Sequence, residues 1–194
     1  MEWSFIFFFN SILLGIGLAM DAFSVSLANG LNENRMKLSR MSFIAGIYAF
    51  CQFIMPMIGW TCVHTIVQTF QAFEKFIPWI ALILLVYIGG KMILESLGGE
   101  ENESEAKSLS IGVLIIQGIA TSIDALSVGF TISEYNVIMA FVCAVIIAVV
   151  TFGICMTGLE LGKKFGTKFS GKAGILGGVI LIVIGLEIFI KGIF

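Results

Sequence analysis

The stretch that decides the fold lies near the start of the chain and reads WSFIFFFNSILLGIGLAMDAFSVSLANGL (residues 3–31). Its one charged residue is Asp21. A helix that crosses a bilayer needs about 20 mostly apolar residues, and this stretch exceeds that length. It is also too long, and too evenly apolar, for the alternating strands of an outer-membrane barrel. The sequence therefore predicts a transmembrane helix that carries a single carboxylate.

Five more stretches of the same kind follow along the chain, over residues 41–70, 76–97, 108–133, 136–161 and 173–194. The fourth of the six stretches repeats the feature of the first, because its only charged residue is Asp124. Only short connections separate the stretches. We therefore expect an all-α integral membrane protein of six transmembrane helices with almost no soluble part.

Composition supports this class and excludes several functions. Of the 194 residues, 58% are hydrophobic and 12% are charged, about half the charged share of a soluble domain. The net charge of −2 leaves no basic excess to bind nucleic acid. The four cysteines form no C-x-x-C pair and are expected to be inert buried thiols. No phosphate-binding loop and only one histidine are present, so neither ATP use nor enzymatic hydrolysis is expected.

The chain contains an internal repeat of three helices. The pattern D-A-[FL]-S-V occurs at residues 21–25 and again at residues 124–128, an offset of 103. The second and fifth stretches align over 52–59 and 151–158 (offset 99), and the third and sixth share an Ile-Gly step at 88–89 and 184–185 (offset 96).

An odd number of crossings makes the second copy enter the membrane from the opposite side. This inverted repeat is a common architecture of secondary transporters. The predicted units are residues 1–97, an acidic linker over 98–107, and residues 108–194.

The two repeated aspartates are the main functional candidates. A carboxylate in mid-membrane costs about 2.5–3.5 kcal/mol on insertion scales. Small residues surround both Asp21 and Asp124, which allows their helices to approach closely. Two facing carboxylates in a low-dielectric medium need a proton or a bound cation between them. Carboxylate oxygens suit Mn²⁺, Mg²⁺ or Ca²⁺, and the alternative is a pair of structural carboxylates bonded to Ser and Thr.

Neighbouring polar side chains could complete the coordination shell of a cation. Residues three or four apart share a helix face, and this places serine, threonine and glutamine oxygens beside the two aspartates. For these neutral residues, a purely structural role is an equal alternative. The candidate metal-binding set is Asp21, Asp124, Ser24, Ser127, Thr121, Gln52 and Gln117.

Basic residues predict the orientation of the chain. They concentrate in the loop over residues 32–40 and in the segment over residues 162–172. Basic loops face the cytoplasm in membrane proteins. Both segments therefore belong on the cytoplasmic side, and both chain termini belong outside.

Four segments resemble one known family: AMDAFSVS (19–26), MPMIGW (55–60), YIGGKMILE (87–95) and ATSIDALSVG (120–129). They are similar to the bacterial manganese efflux pumps called MntP, over nearly the whole chain. The resemblance implies Mn²⁺ export across the cell membrane, with the ion as substrate rather than cofactor and the lipid bilayer as surroundings. It carries over directly to Asp21 and Asp124, whereas some members have Glu where this chain has Gln52.

Two other functions stay open at this point. The same repeats occur in a sporulation-associated membrane branch, so the chain could be a non-transporting membrane module. A more distant similarity to amino-acid exporters of the lysine-exporter type would make it an exporter of another small solute. Two buried carboxylates without a buried unpaired cation fit a metal ion better than the carboxylate of an amino acid.

Overall fold

The computed structural model describes residues 5–33, 35–65, 77–97, 109–168 and 173–193. These residues form seven helices and, within those ranges, no strand. The helices are α1 (Phe5–Asn32), α2 (Leu38–Thr65), α3 (Ile77–Leu97), α4 (Ile111–Ala120), α5 (Ile123–Thr131), α6 (Val137–Lys168) and α7 (Ala173–Ile193). The expected all-α fold is confirmed, while the predicted acidic linker at 98–107 lies outside the described residues.

Several of these helices can cross a membrane. Three segments are long and apolar enough, namely Phe5–Asn32, Leu38–Cys62 and Val137–Gly166. Helices α4 and α5 together form a fourth candidate, bent by 41° at a short break. Helix α7 contributes a shorter apolar segment, Ile175–Glu187. The chain is thus a helical membrane protein, and the count of six crossings stays a prediction.

The fourth predicted helix is broken rather than continuous. At the break, the Thr121 hydroxyl donates to the carbonyls of Gln117 (2.9 Å) and Gly118 (3.3 Å), and the Ser122 hydroxyl donates to Gly118 O (2.7 Å). Such bonds compete with the backbone ladder and bend helices. The equivalent positions of α1, residues 18–19, are Leu and Ala, and α1 is continuous there. Two adjacent hydroxyls therefore distinguish the broken helix from its unbroken counterpart.

Glycines bring α1 and α6 into close contact. A Cβ atom added to Gly30 would lie 3.0 Å from Gly162 Cα, and one added to Gly158 would lie 2.8 Å from Phe23 O. Nearer the start of both helices, Gly15 of α1 lies against Ile147 Cα of α6. Contacting residue numbers rise together on both helices, so α1 and α6 run parallel. Without side chains at the contact the two backbones can pack directly.

The contacts of α2 with α4 and α5 recur at the offsets of the sequence repeat. Gly118 faces Tyr48 and Cys51, just as Gly15 faces Ile147 and Val150. Gly59 faces Leu126 and Gly129, just as Gly158 faces Phe23 and Ser26. In each comparison, the residues of α4 and α5 follow their counterparts in α1 by 103 positions, and the residues of α6 follow their counterparts in α2 by 99. Helix α2 therefore meets α4 and α5 as α6 meets α1.

Helices α3 and α7 pair with each other in the same repeated manner. Gly89 lies against Gly178 and Leu181, and Gly185 lies against Leu82 and Leu85. The two contacts are equivalent in the repeat. Gly185 follows Gly89 by 96 positions, and Gly178 and Leu181 follow Leu82 and Leu85 by the same number. Residue numbers rise on one helix as they fall on the other, so α3 and α7 run antiparallel.

Basic residues from distant parts of the sequence meet at one end of the bundle. The Lys163 ammonium donates to Met36 O (2.8 Å), which ties the end of α6 to the loop between α1 and α2. Arg40 pairs with Glu33 (3.7 Å) and donates to Leu109 O. The two basic segments of the sequence are therefore neighbours.

Candidate functional site

Gln52 joins the two segments that precede the repeated aspartates. Its side chain on α2 is fully buried, and its Nε2 donates to Leu18 O (3.0 Å) and Thr121 O (3.2 Å). Two carbonyl acceptors can be served only by the amide nitrogen, which fixes the orientation of the amide. Because one nitrogen bonds both, the two carbonyl oxygens lie no more than about 6 Å apart.

The positions that Gln52 bridges are equivalent in the repeat. Leu18 lies three residues before Asp21, and Thr121 lies three residues before Asp124. Each bridged carbonyl therefore lies three residues before an aspartate, within the continuous helix α1 for Leu18 and across the break between α4 and α5 for Thr121. The structure brings together Gln52 and Thr121, two of the predicted site residues, although Thr121 contributes its backbone oxygen.

The two aspartates differ in their surroundings. Asp21 is half-buried within α1, whereas Asp124 is exposed on the protein surface in the first turn of α5. Asp124 Oδ1 accepts a hydrogen bond from the Ala125 N–H (2.9 Å). The positive end of a helix dipole favours a carboxylate at this position. That the two carboxylates share one cation stays a prediction.

The two predicted serines lie one turn beyond the aspartates. The half-buried Ser24 donates its hydroxyl to Met20 O (3.0 Å), and Ser127 is exposed. A bond to the preceding turn fits a structural role for Ser24, but it leaves the hydroxyl oxygen able to accept. The role of both serines as ligands stays a prediction.

Gln117 belongs to a buried network that sequence reasoning missed. Its Oε1 accepts from Asn29 Nδ2 (2.9 Å) and from the Tyr48 hydroxyl (2.7 Å), and Asn29 Nδ2 also donates to that hydroxyl (2.6 Å). All three side chains are fully buried. The only signal of its other two members in the sequence was the amide of Asn29 and the phenol of Tyr48 within largely apolar helices. This network ties α1, α2 and α4 together.

A conventional metal cluster is absent from the described ranges. Within residues 5–33, 35–65, 77–97, 109–168 and 173–193, no three His, Cys, Asp or Glu side chains converge. The set proposed from the sequence is of another kind, since it has two carboxylates and several neutral oxygens.

Comparison with known sequences assigns the family. Residues 35–189 match the family described as "Putative manganese efflux pump". The chain belongs to the MntP family. Relatives named "Putative manganese efflux pump MntP" include those of Ruminiclostridium cellulolyticum (42% identical, 94% of this chain and 95% of the relative) and Methanobrevibacter smithii (41% identical, 91% and 94%). No solved structure matches the chain.

The regions of this chain that match MntP relatives include the positions of both aspartate motifs. The family match itself covers Gln52 and Asp124, and it begins after Asp21. The alignment with the R. cellulolyticum relative, however, leaves only 6% of this chain unmatched, fewer residues than precede Asp21. The predicted resemblance to MntP is therefore confirmed over nearly the whole chain.

Proposed function

We propose that this protein exports manganese(II) from the cytoplasm across the cell membrane as a secondary transporter, and that it is not an enzyme. The names of its MntP relatives support the substrate. The observation that carries the proposal is the bridge from Gln52 to Leu18 O and Thr121 O. It holds the backbones of the two aspartate segments side by side in the interior of the bundle.

The bridge supports a shared cation site because each bridged carbonyl lies close to a carboxylate in the sequence. Three residues beyond Leu18 and Thr121 the chain carries Asp21 and Asp124, each costly in a membrane. Two carboxylates balance the charge of a divalent ion, and oxygen ligands suit manganese. We assign Asp21 and Asp124 as the charged ligands, with Ser24, Ser127 and Gln52 as neutral ones.

Two other predicted ligands receive structural roles in this proposal. The oxygen of Gln117 already accepts two hydrogen bonds from Asn29 and Tyr48. The Thr121 hydroxyl donates to Gly118 O beside the helix break and to Gln117 O, which also accepts the Thr121 N–H. Gln117 therefore ties α4 to α1 and α2, and Thr121 shapes the break that precedes Asp124. Transporter sites are typically built at such discontinuous helices.

The inverted repeat of six helices is part of the proposal. Equivalent glycine contacts at offsets of 103, 99 and 96 support two copies of one three-helix unit, residues 1–97 and 108–194. The helix directions support six crossings, since these require α1 parallel to α6, α2 parallel to α4 and α5, and α3 antiparallel to α7. The two units are joined by the acidic linker at residues 98–107.

Removal of either carboxylate tests the function. Cells that lack their own manganese exporter are loaded with Mn²⁺, and their manganese content is measured while they express each variant at equal levels. Asp21→Asn and Asp124→Asn should each abolish export yet insert normally, because neutralising a charge lowers the insertion cost. The matched control is Glu134→Gln, which neutralises an exposed carboxylate in the turn before α6.

The outcomes of this assay are distinct. Export at the wild-type rate by both Asn variants would show that the aspartate pair is not the site. A wild-type chain that never lowers manganese would contradict the substrate, and one that instead lowers another solute would favour the small-solute alternative. A chain that moves no solute would favour the non-transporting module.

A further inference from the structure

Buried polar atoms without protein partners point to one more residue. Among the described residues, five such side-chain atoms occur: Ser26 Oγ, Glu33 Oε2, Arg40 Nε, Gln52 Oε1 and Thr151 Oγ1. Two of them belong to the Glu33–Arg40 ion pair. Ser26 Oγ lies within reach of the Cys155 thiol. This leaves the oxygens of Gln52 and Thr151, both on fully buried side chains.

The hydroxyl of Thr151 differs from those of three other threonines in helices whose side chains the structure describes. Thr61, Thr131 and Thr157 each donate to a carbonyl in the preceding turn of their helix, at 2.7–3.3 Å. Thr151 has the same option on α6, yet its hydroxyl makes no such bond. A buried polar group without a hydrogen-bond partner is costly, so its presence calls for an explanation.

Thr151 and Gln52 are also equivalent in the repeat. They differ by 99 positions, the offset that relates Cys51 to Val150 and Gly59 to Gly158 in the glycine contacts. The two unpartnered oxygens therefore occupy the same position in the two copies.

The contacts between α6 and α1 show which residues of α1 lie at the same level as Thr151 along the two parallel helices. Gly15 faces Val150, and Phe23 faces Gly158, which places Thr151 level with residues 16–19 of α1. Gln52 reaches the same turn from α2, where it bonds Leu18 O. Thr151 on α6 and Gln52 on α2 therefore lie level with the same turn of α1, one turn before Asp21.

We propose that Thr151 is a further ligand of the transported cation, and that its hydroxyl oxygen and Gln52 Oε1 contribute one neutral oxygen from each repeat. The assignment rests on the proposed manganese export. Hard divalent cations bind six or more oxygens, more than two carboxylates supply. Neutral oxygens complete the shell without adding charge, so the ion and the two aspartates stay balanced.

The test is equilibrium binding of Mn²⁺ to the purified full-length protein in detergent, followed by the paramagnetic resonance signal of the free ion. Thr151→Val removes the oxygen at nearly constant shape and should raise the Kd about tenfold or more. Thr151→Ser keeps the hydroxyl and should bind within about threefold of wild type. The control Thr157→Val makes the same change on the same helix, at an exposed residue whose hydroxyl bonds Ile154 O, and should leave the Kd unchanged.

A second variant gives a result that a purely structural threonine could not produce. Thr151→Cys replaces a hard oxygen with a soft thiolate ligand, so Cd²⁺ should compete against Mn²⁺ more strongly than in wild type. This comparison also decides the matter if Thr151→Val does not insert. Unchanged Cd²⁺ competition, or a Thr151→Val affinity equal to that of Thr157→Val, would overturn the assignment while the wild type still binds Mn²⁺. Failure of the wild type to bind Mn²⁺ would instead contradict the proposed function itself.

Discussion

The close contact between α2 and α5 makes a sharp prediction for Gly129. A Cβ atom added there would clash most closely with Pro56 O, and it would lie 2.7 Å from both Gly59 Cα and Trp60 N. Ordinary van der Waals contact begins near 3.4 Å, so Gly129→Ala must separate the two helices by at least about 0.7 Å. All three opposing atoms are backbone, so no side chain can rotate away. The strain of such overpacking is about 1–3 kcal/mol.

The same shift reaches the bridge at Gln52. Gln52 lies seven residues before Gly59, about 10 Å along α2. Even half of the displacement would lengthen the 3.2 Å bond from Gln52 to Thr121 O to about 3.5 Å, the limit for a hydrogen bond. A hydrogen bond between membrane helices contributes about 0.6 kcal/mol on average. Gly129→Ala should therefore lower thermal stability and weaken Mn²⁺ binding together.

Other glycines provide a graded control for this experiment. Gly158→Ala introduces a milder clash, with its nearest contact 2.8 Å away at Phe23 O, and should have a smaller effect. Gly153 has no neighbouring atom within 4 Å of an added Cβ, so Gly153→Ala should be neutral or stabilise by up to about 1 kcal/mol. Thermal unfolding in detergent and Mn²⁺ titration are measured on all three. If Gly129→Ala unfolds at the same temperature as Gly153→Ala, the direct backbone contact is wrong.

Three further results are expected. Gln52→Leu removes the donor to Leu18 O and Thr121 O and should abolish Mn²⁺ binding without preventing insertion; retained affinity would show that the bridge does not organise the site. Tyr48→Phe removes the hydroxyl shared by Asn29 and Gln117 and should destabilise the protein by about 1–3 kcal/mol in thermal unfolding, whereas no loss of stability would contradict that network. Mn²⁺ binding to the wild type should weaken as pH falls, because protons compete for carboxylate ligands, and a pH-independent Kd would argue against an aspartate site.

The amino-acid sequence alone determined the membrane class, the helical fold and the aspartate motifs. These are local properties, since the length of an apolar stretch decides whether a helix can cross a bilayer. The repeat offsets also came from sequence, and each reappears in the glycine contacts. The family resemblance rested on the same short motifs, and both aspartates fall within the regions that match known relatives.

Other features were decided only by the tertiary structure. Helices such as α1 and α6 are apolar on nearly all faces, because lipid and protein neighbours are equally apolar, so periodicity does not show which residues face inward. The amide orientation of Gln52 depends on two carbonyls from distant segments, and Gln117 pairs with Asn29 instead of an aspartate. The break at Thr121 likewise depends on a competition between hydroxyls and backbone for the same carbonyls, which a hydropathy pattern does not record.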